Sequence, residues 1–128
     1  MSWESPYFTQ DEMRCQCGCN EDGMDPDFMD KLTSLRADWG QPMVITSGYR
    51  CPHHPIEARK SKPGAHTTGH AADVAIYGED AYKLLCVALG HGFTGVGIAQ
   101  KGSYGSRFLH LDDLETDDGF PRPTIWSY

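Results

Sequence analysis

The sequence predicts an α+β fold, a small antiparallel sheet flanked by helices, and three observations carry that prediction. Two segments place apolar residues at helical spacing, and four short runs are apolar or β-branched. The two kinds of segment do not alternate strictly, as a parallel sheet would require.

Residues 1–24 read as an irregular, cysteine-containing segment, broken by Pro6 and Gly18. Asp25-Pro26 then supplies an N-cap followed by proline at the first helical position. Phe28, Leu32, Leu35 and Trp39 continue at helical spacing, and Gly40 ends the helix. Met43 to Thr46, after Pro42, reads as a strand. Residues 47–65 are rich in Gly, Pro, Ser and His and form a long excursion, the kind of loop that usually carries function. Ala71 to Tyr77 is a second strand with Asp73 as its one charged residue. Glu79 and Asp80 suit the positive end of a second helix through Leu84, Leu85, Val87, Ala88 and Leu89, closed by Gly90 and Gly92. Val96 to Ala99 and Phe108 to Asp112 are the last two strands, joined by a Gly/Ser-rich turn at 102–106.

The 128 residues suit one domain spanning 1–128, large enough to fold around a core without disulfide staples. Charged residues make up 23% and apolar residues 39%, which excludes a disordered chain. A net charge of −7 argues against nucleic acid and offers no polybasic handle for an anionic membrane. No apolar run approaches the ~20 residues of a bilayer span. The N-terminus lacks the basic start and apolar stretch of a signal peptide. Synthesis in the cytoplasm and a monomeric state are expected.

An odd number of cysteines, five, cannot pair fully within the chain. Cys86 falls in an apolar helical pattern and is expected to be a buried thiol. Cys15, Cys17, Cys19 and Cys51 are either free thiols or a disulfide or small metal clip joining the N-terminal loop to Cys51. The one-residue spacing of the first three lacks the Cys-x-x-Cys form common in structural zinc sites.

The chemistry concentrates in two pieces. In His66-Thr-Thr-Gly69-His70-Ala71-Ala72-Asp73, an imidazole and a carboxylate flank a turn where a loop becomes a strand. Asp73 either caps that turn beside a solvated histidine or is paired or metal-bound, since an isolated buried charge is very costly. In Phe108-Leu109-His110-Leu111-Asp112, alternation puts the leucines on the core face and His110 with Asp112 on the other. Together the pieces offer a His/Asp/His donor set suited to Zn²⁺, with a fourth position open for water.

These pieces, in order with Ser47-Gly48-Tyr49-Arg50, resemble the peptidase M15 family. That family includes zinc D-Ala-D-Ala carboxypeptidases and L-alanyl-D-glutamate endopeptidases, many of them bacteriophage endolysins. The Cys-x-Cys-Gly-Cys stretch and the final Trp126-Ser-Tyr128 are similar to the phage-type branch, so the resemblance covers nearly the whole chain. It implies a hedgehog/DD-peptidase-like fold, zinc on His66, Asp73 and His110, and Arg50 as a catalytic or substrate-gripping cation flanked by Ser47 and Tyr49. It also implies that bacterial peptidoglycan stem peptides are the substrate, reached after holin-type release or virion delivery. The alternative is a non-catalytic zinc-binding module of the same fold, acting in binding or in virion structure.

One departure concerns the general base. Where many members carry it just before the last ligand, this chain has Arg107 and Phe108. Asp112 is the first candidate, either as base or as a partner that orients His110. Asp113 and His70 are weaker candidates. His53, His54 and His91 are expected in surface loops, the first two near the cleft rim.

Overall fold

The sheet is built around its central strand, Phe108-Leu-His-Leu-Asp. The computed structural model describes residues 3–128; Met1 and Ser2, the start of the stretch read above for an export signal, lie outside it. Five strands form one sheet: β1 (Val44–Ser47), β2 (Ala71–Ala75), β3 (Gly95–Ala99), β4 (Phe108–Asp112) and β5 (Thr124–Ser127). Their order is β1-β2-β4-β3-β5, so β4 has a partner on each side.

The α+β class holds, with two corrections. The sheet has a fifth strand, and β5 runs parallel to β3, which makes the sheet mixed rather than antiparallel. Thr124-Ile-Trp-Ser has strand-favouring residues but little burial, and its pairing with β3 and the packing of Trp126 fix it. The N-terminal segment is also not wholly irregular. Helix α1 (Gln10–Met13) starts from a capping box in which Thr9 and Glu12 each accept the other's backbone N–H.

Helix α2 (Pro26–Trp39) begins where Asp25 accepts a hydrogen bond from the Phe28 N–H at 3.0 Å and ends at Gly40. It buries Phe28, Met29, Leu32 and Leu35. Fully burying each such side chain stabilises the fold by ~1.5–3 kcal/mol. Leu32→Ala would cost ~2–5 kcal/mol because a cavity is left behind. The long excursion after β1 carries a single turn, α3 (Pro55–Ala58). Helix α4 (Gly78–Gly90) buries Ala81, Leu84 and Ala88, three and four residues apart. Cys86 lies two residues past Leu84, off that stripe, and is exposed rather than buried. No helix among the described residues is long and apolar enough to cross a membrane.

Strand alternation divides the sheet's two faces. Ala72, Val74, Val96, Leu109 and Leu111 join the residues of α2 and α4 in one core cluster. Asp73, His110 and Asp112 stand on the other face, with Asp73 opposite His110 in the β2–β4 register. On β3 the residues opposite Asp112 and His110 are Gly95 and Gly97. A Cβ at Gly95 would run into the Asp112 carboxylate, and one at Gly97 would meet the Trp126 and Tyr128 rings. Those two glycines make room for the site.

Candidate metal centre

His66, Asp73 and His110 reach one point from three elements. His66 lies in a single 3-10 turn (Ala65–Thr68) that runs into β2, Asp73 sits mid-β2, and His110 sits mid-β4. All three are buried, and one ligand atom from each lies within 4.8 Å of the others. Asp73 Oδ1 is 3.2 Å from His66 Nε2 and 3.1 Å from His110 Nδ1.

The outer nitrogen of each ring fixes what the inner one presents. His66 Nδ1–H donates to the Gly48 carbonyl at 2.7 Å, and that oxygen can only accept. His110 Nε2–H donates to Asp112 Oδ2 at 2.7 Å. Neutral imidazoles so held turn their lone pairs inward, onto an ionised carboxylate. Three electron-pair donors facing one another repel unless a cation sits among them. That arrangement fits a divalent metal with nitrogen and oxygen ligands. In a metal-free protein a proton takes that place. Burial alone would lower the His110 pKa, but the hydrogen bonds to Asp112 and Asp73 outweigh it and raise it above 6.5. Burial would raise the Asp73 carboxyl, yet His110 and His66 hold it well below the usual carboxylate range.

Asp112 does not sit where a proton acceptor for the cleft would sit. It is completely buried, and its oxygens are all engaged. Besides His110, it accepts Arg122 Nε at 2.9 Å, Arg122 Nη2 at 2.8 Å and the Leu114 N–H at 3.3 Å. Burial would raise its pKa, but His110 and Arg122 hold it at about 2. Of the two roles expected of Asp112, this geometry favours the second: the carboxylate faces the back of His110, where it can orient the ring. The weaker candidates point elsewhere. His70 and Asp113 pair with each other at 2.8 Å, next to Asp25 and Lys31.

A cleft of about 560 Å³ opens over the three donors, walled by Arg50, Lys60, Phe108, Trp126 and Tyr128. Arg50 is held on three sides. Its Nε donates to Ser47 Oγ at 3.0 Å, Nη1 to Glu57 Oε2 at 3.2 Å, and Nη2 lies 3.7 Å from Asp73 Oδ2. Ser47 thus acts on Arg50 rather than on the cleft. Tyr49 packs its ring against Gly23, away from the cleft wall. His54 caps α3 by accepting the Ile56 N–H at 3.1 Å, while His53 is exposed, and neither lines the cleft. His91 pairs with Asp38 at 2.9 Å and does not line the cleft.

Sequence reasoning missed Glu57, Arg122 and Trp126 as parts of the site. Trp126 packs at a tilt against His110 with ring centroids 5.0 Å apart, and Arg122 lies over Trp126 at 5.1 Å. Pro121-Arg122-Pro123, a cation between two prolines, was the available signal for Arg122. Glu57 gave none beyond its place after Pro55 at a helix start. A family model described as Peptidase M15 matches residues 6–112 of this chain. No curated protein matches it.

Proposed function

The chain belongs to the peptidase M15 family of metallopeptidases, and we propose that it holds a zinc ion on His66, Asp73 and His110 to hydrolyse a peptide bond in the stem peptide of bacterial peptidoglycan. One observation carries the reading: three buried electron-pair donors converge at the floor of an open cleft. Two imidazoles and one carboxylate suit zinc, and the cleft leaves its remaining position accessible.

When bound, the ion supplies Lewis acidity, polarising a carbonyl and acidifying water. The chain's own residues do the rest. Asp112, locked by Arg122, keeps the His110 ring turned so that Nδ1 faces the donors. The Gly48 carbonyl does the same for His66. Arg50, half-buried and pinned by Ser47 and Glu57, presents a guanidinium to the cleft, suited to a substrate carboxylate or a polarised carbonyl oxygen. Trp126 and Phe108 supply apolar walls that limit water on one side.

Arg50, Lys60 and Arg122 line the cleft, and Glu57, Asp73 and Asp112 offset their charges. The two positive charges a zinc ion would add suit an anionic peptide end. The bond cut is either a terminal D-Ala-D-Ala link or the L-alanyl-D-glutamate link within the stem. Action on the wall after holin-type release or from a virion belongs to the same proposal.

A second reading rests on one observation. Among the described residues, no carboxylate other than the ligand Asp73 faces the cleft to take up a proton. That favours a zinc-binding module without turnover. Hydrolysis of purified peptidoglycan, with and without chelator, separates the two. Chelator-sensitive release of peptide ends supports the peptidase, and intact wall material at full zinc occupancy supports the module.

A further inference from the structure

Four cysteines meet on the side of the protein where the N-terminal loop crosses the segment after β1. Cys15, Cys17 and Cys19 lie in the loop after α1, and Cys51 directly follows Arg50. Their four sulfurs all lie within 4.8 Å of one another. Cys17 Sγ is 3.4 Å from Cys15 Sγ and 3.4 Å from Cys51 Sγ.

These separations match a coordination shell. Zinc–thiolate bonds of about 2.3 Å in a tetrahedron put the sulfurs roughly 3.8 Å apart, inside the range seen here. A disulfide joins two sulfurs at about 2.05 Å and leaves the other two unexplained. All four thiols are free. The one-residue spacing is short for a structural zinc loop, and the backbone compensates. Gly18 at φ 104° and Asn20 at φ 58° take left-handed conformations that curl the loop around its own cysteines. The Cys15 N–H then closes it on the Glu21 carbonyl at 2.9 Å.

Backbone amides are also aimed at the sulfurs. The Cys51 N–H points to Cys15 Sγ at 3.3 Å, and the Glu21 N–H to Cys19 Sγ at 3.4 Å. Donors so placed favour thiolate, the form that binds metal. Cys15 and Cys51 are buried while Cys17 and Cys19 are exposed, so an ion has a route in from solvent.

We propose that Cys15, Cys17, Cys19 and Cys51 form a second, structural zinc site that clips the N-terminal loop to the segment carrying Arg50. Four thiolates close the tetrahedron, leaving no position for water or substrate. The clip sits where it can stabilise the cleft. Within the segment it holds, the Gly48 carbonyl orients His66, the Tyr49 N–H bonds the Met13 carbonyl at 2.9 Å, and the Arg50 N–H bonds the His66 carbonyl at 3.1 Å.

The test uses the full chain, purified without chelator under reducing conditions. Elemental analysis should give two zinc ions per chain. Cys17→Ser/Cys19→Ser, which alters only the exposed pair, should lose one, and His66→Ala/His110→Ala should lose the other. Alkylation of the unaltered protein avoids any doubt over folding of variants. Before chelation only Cys86 should react, and after chelation the exposed Cys17 and Cys19 should react as well. Cobalt loaded into the His66→Ala/His110→Ala variant should give the near-ultraviolet sulfur-to-metal bands of a tetrathiolate. Reaction of Cys17 or Cys19 without chelator, disulfides in the intact mass, or an unchanged zinc count in the cysteine variant would each overturn the site. Iron in place of zinc would overturn the choice of metal. Failure here leaves the His66/Asp73/His110 proposal intact, because each pair of substitutions removes a different ion.

Discussion

Replacing Asp112 by Asn distinguishes an orienting carboxylate from a proton shuttle. In the folded protein this carboxylate is completely buried and accepts bonds from His110, twice from Arg122, and from the Leu114 N–H. Asparagine keeps the size but loses the charge, and its NH₂ group must face either the His110 N–H or the Arg122 guanidinium. Two routes give the size of the effect. Holding the carboxyl at about 2 instead of 3.8 corresponds to ~2.5 kcal/mol at neutral pH. Removing one partner of a buried ion pair typically costs ~3–5 kcal/mol. The two meet near ~3 kcal/mol, or a fall of ~10 °C in melting temperature for a chain of this size. The sign of the pH dependence follows from the lowered pKa. This stabilisation is present above the ordinary carboxyl range and is lost as pH falls from about 4 through about 2, a limb that Asp112→Asn should lack. With His110 less firmly held, zinc affinity should weaken ~10–100-fold. Metal titration, thermal unfolding of the metal-free protein and peptidoglycan turnover at rising zinc read the three effects. The account expects turnover to recover at saturating zinc. Normal zinc affinity with turnover down by ~10²–10⁴ would refute it and return Asp112 to the role of base.

Two further outcomes follow from the same geometry. Arg50→Ala should retain zinc on the three ligands while losing ~10²–10³ in turnover, as removal of a polarising donor does; near-parental cleavage of defined muropeptides would show that another cation does this work. Zinc binding near neutral pH should release protons, because His110 is held above its ordinary 6.5 and must deprotonate to bind. Affinity should therefore climb as pH rises through that pKa, and calorimetry in buffers of different ionisation enthalpy should show the release. Binding without proton release would contradict the raised His110 pKa.

What the sequence made legible was local. Asp25-Pro26 and the Phe28/Leu32/Leu35 spacing marked α2 because caps and helical period are written in neighbouring residues. Phe108 to Asp112 read as a strand with two faces, and His110 and Asp112 do share one. Thr9 and Glu12 form a capping box three residues apart, a local signal of α1. What stayed hidden was decided by contacts distant along the chain. Asp112 looked like a free acid until Arg122, ten residues on, folded back over it. Glu57 gained meaning only by reaching Arg50. Strand β5 exists because β3 offers it an edge. Cys86 turned outward through the phase of α4, which apolar neighbours on both sides of it obscured.

The central claim is that the ion held by His66, Asp73 and His110 cuts stem peptides, and mass spectrometry of defined muropeptides tests it most directly. Zinc-loaded protein should convert them to two fragments whose masses sum to substrate plus one water, at one bond. His110→Ala, which leaves the cysteine cluster untouched, should give no fragments at the same zinc concentration. Equal cleavage by His110→Ala, or muropeptides left whole by the fully loaded protein, would contradict it.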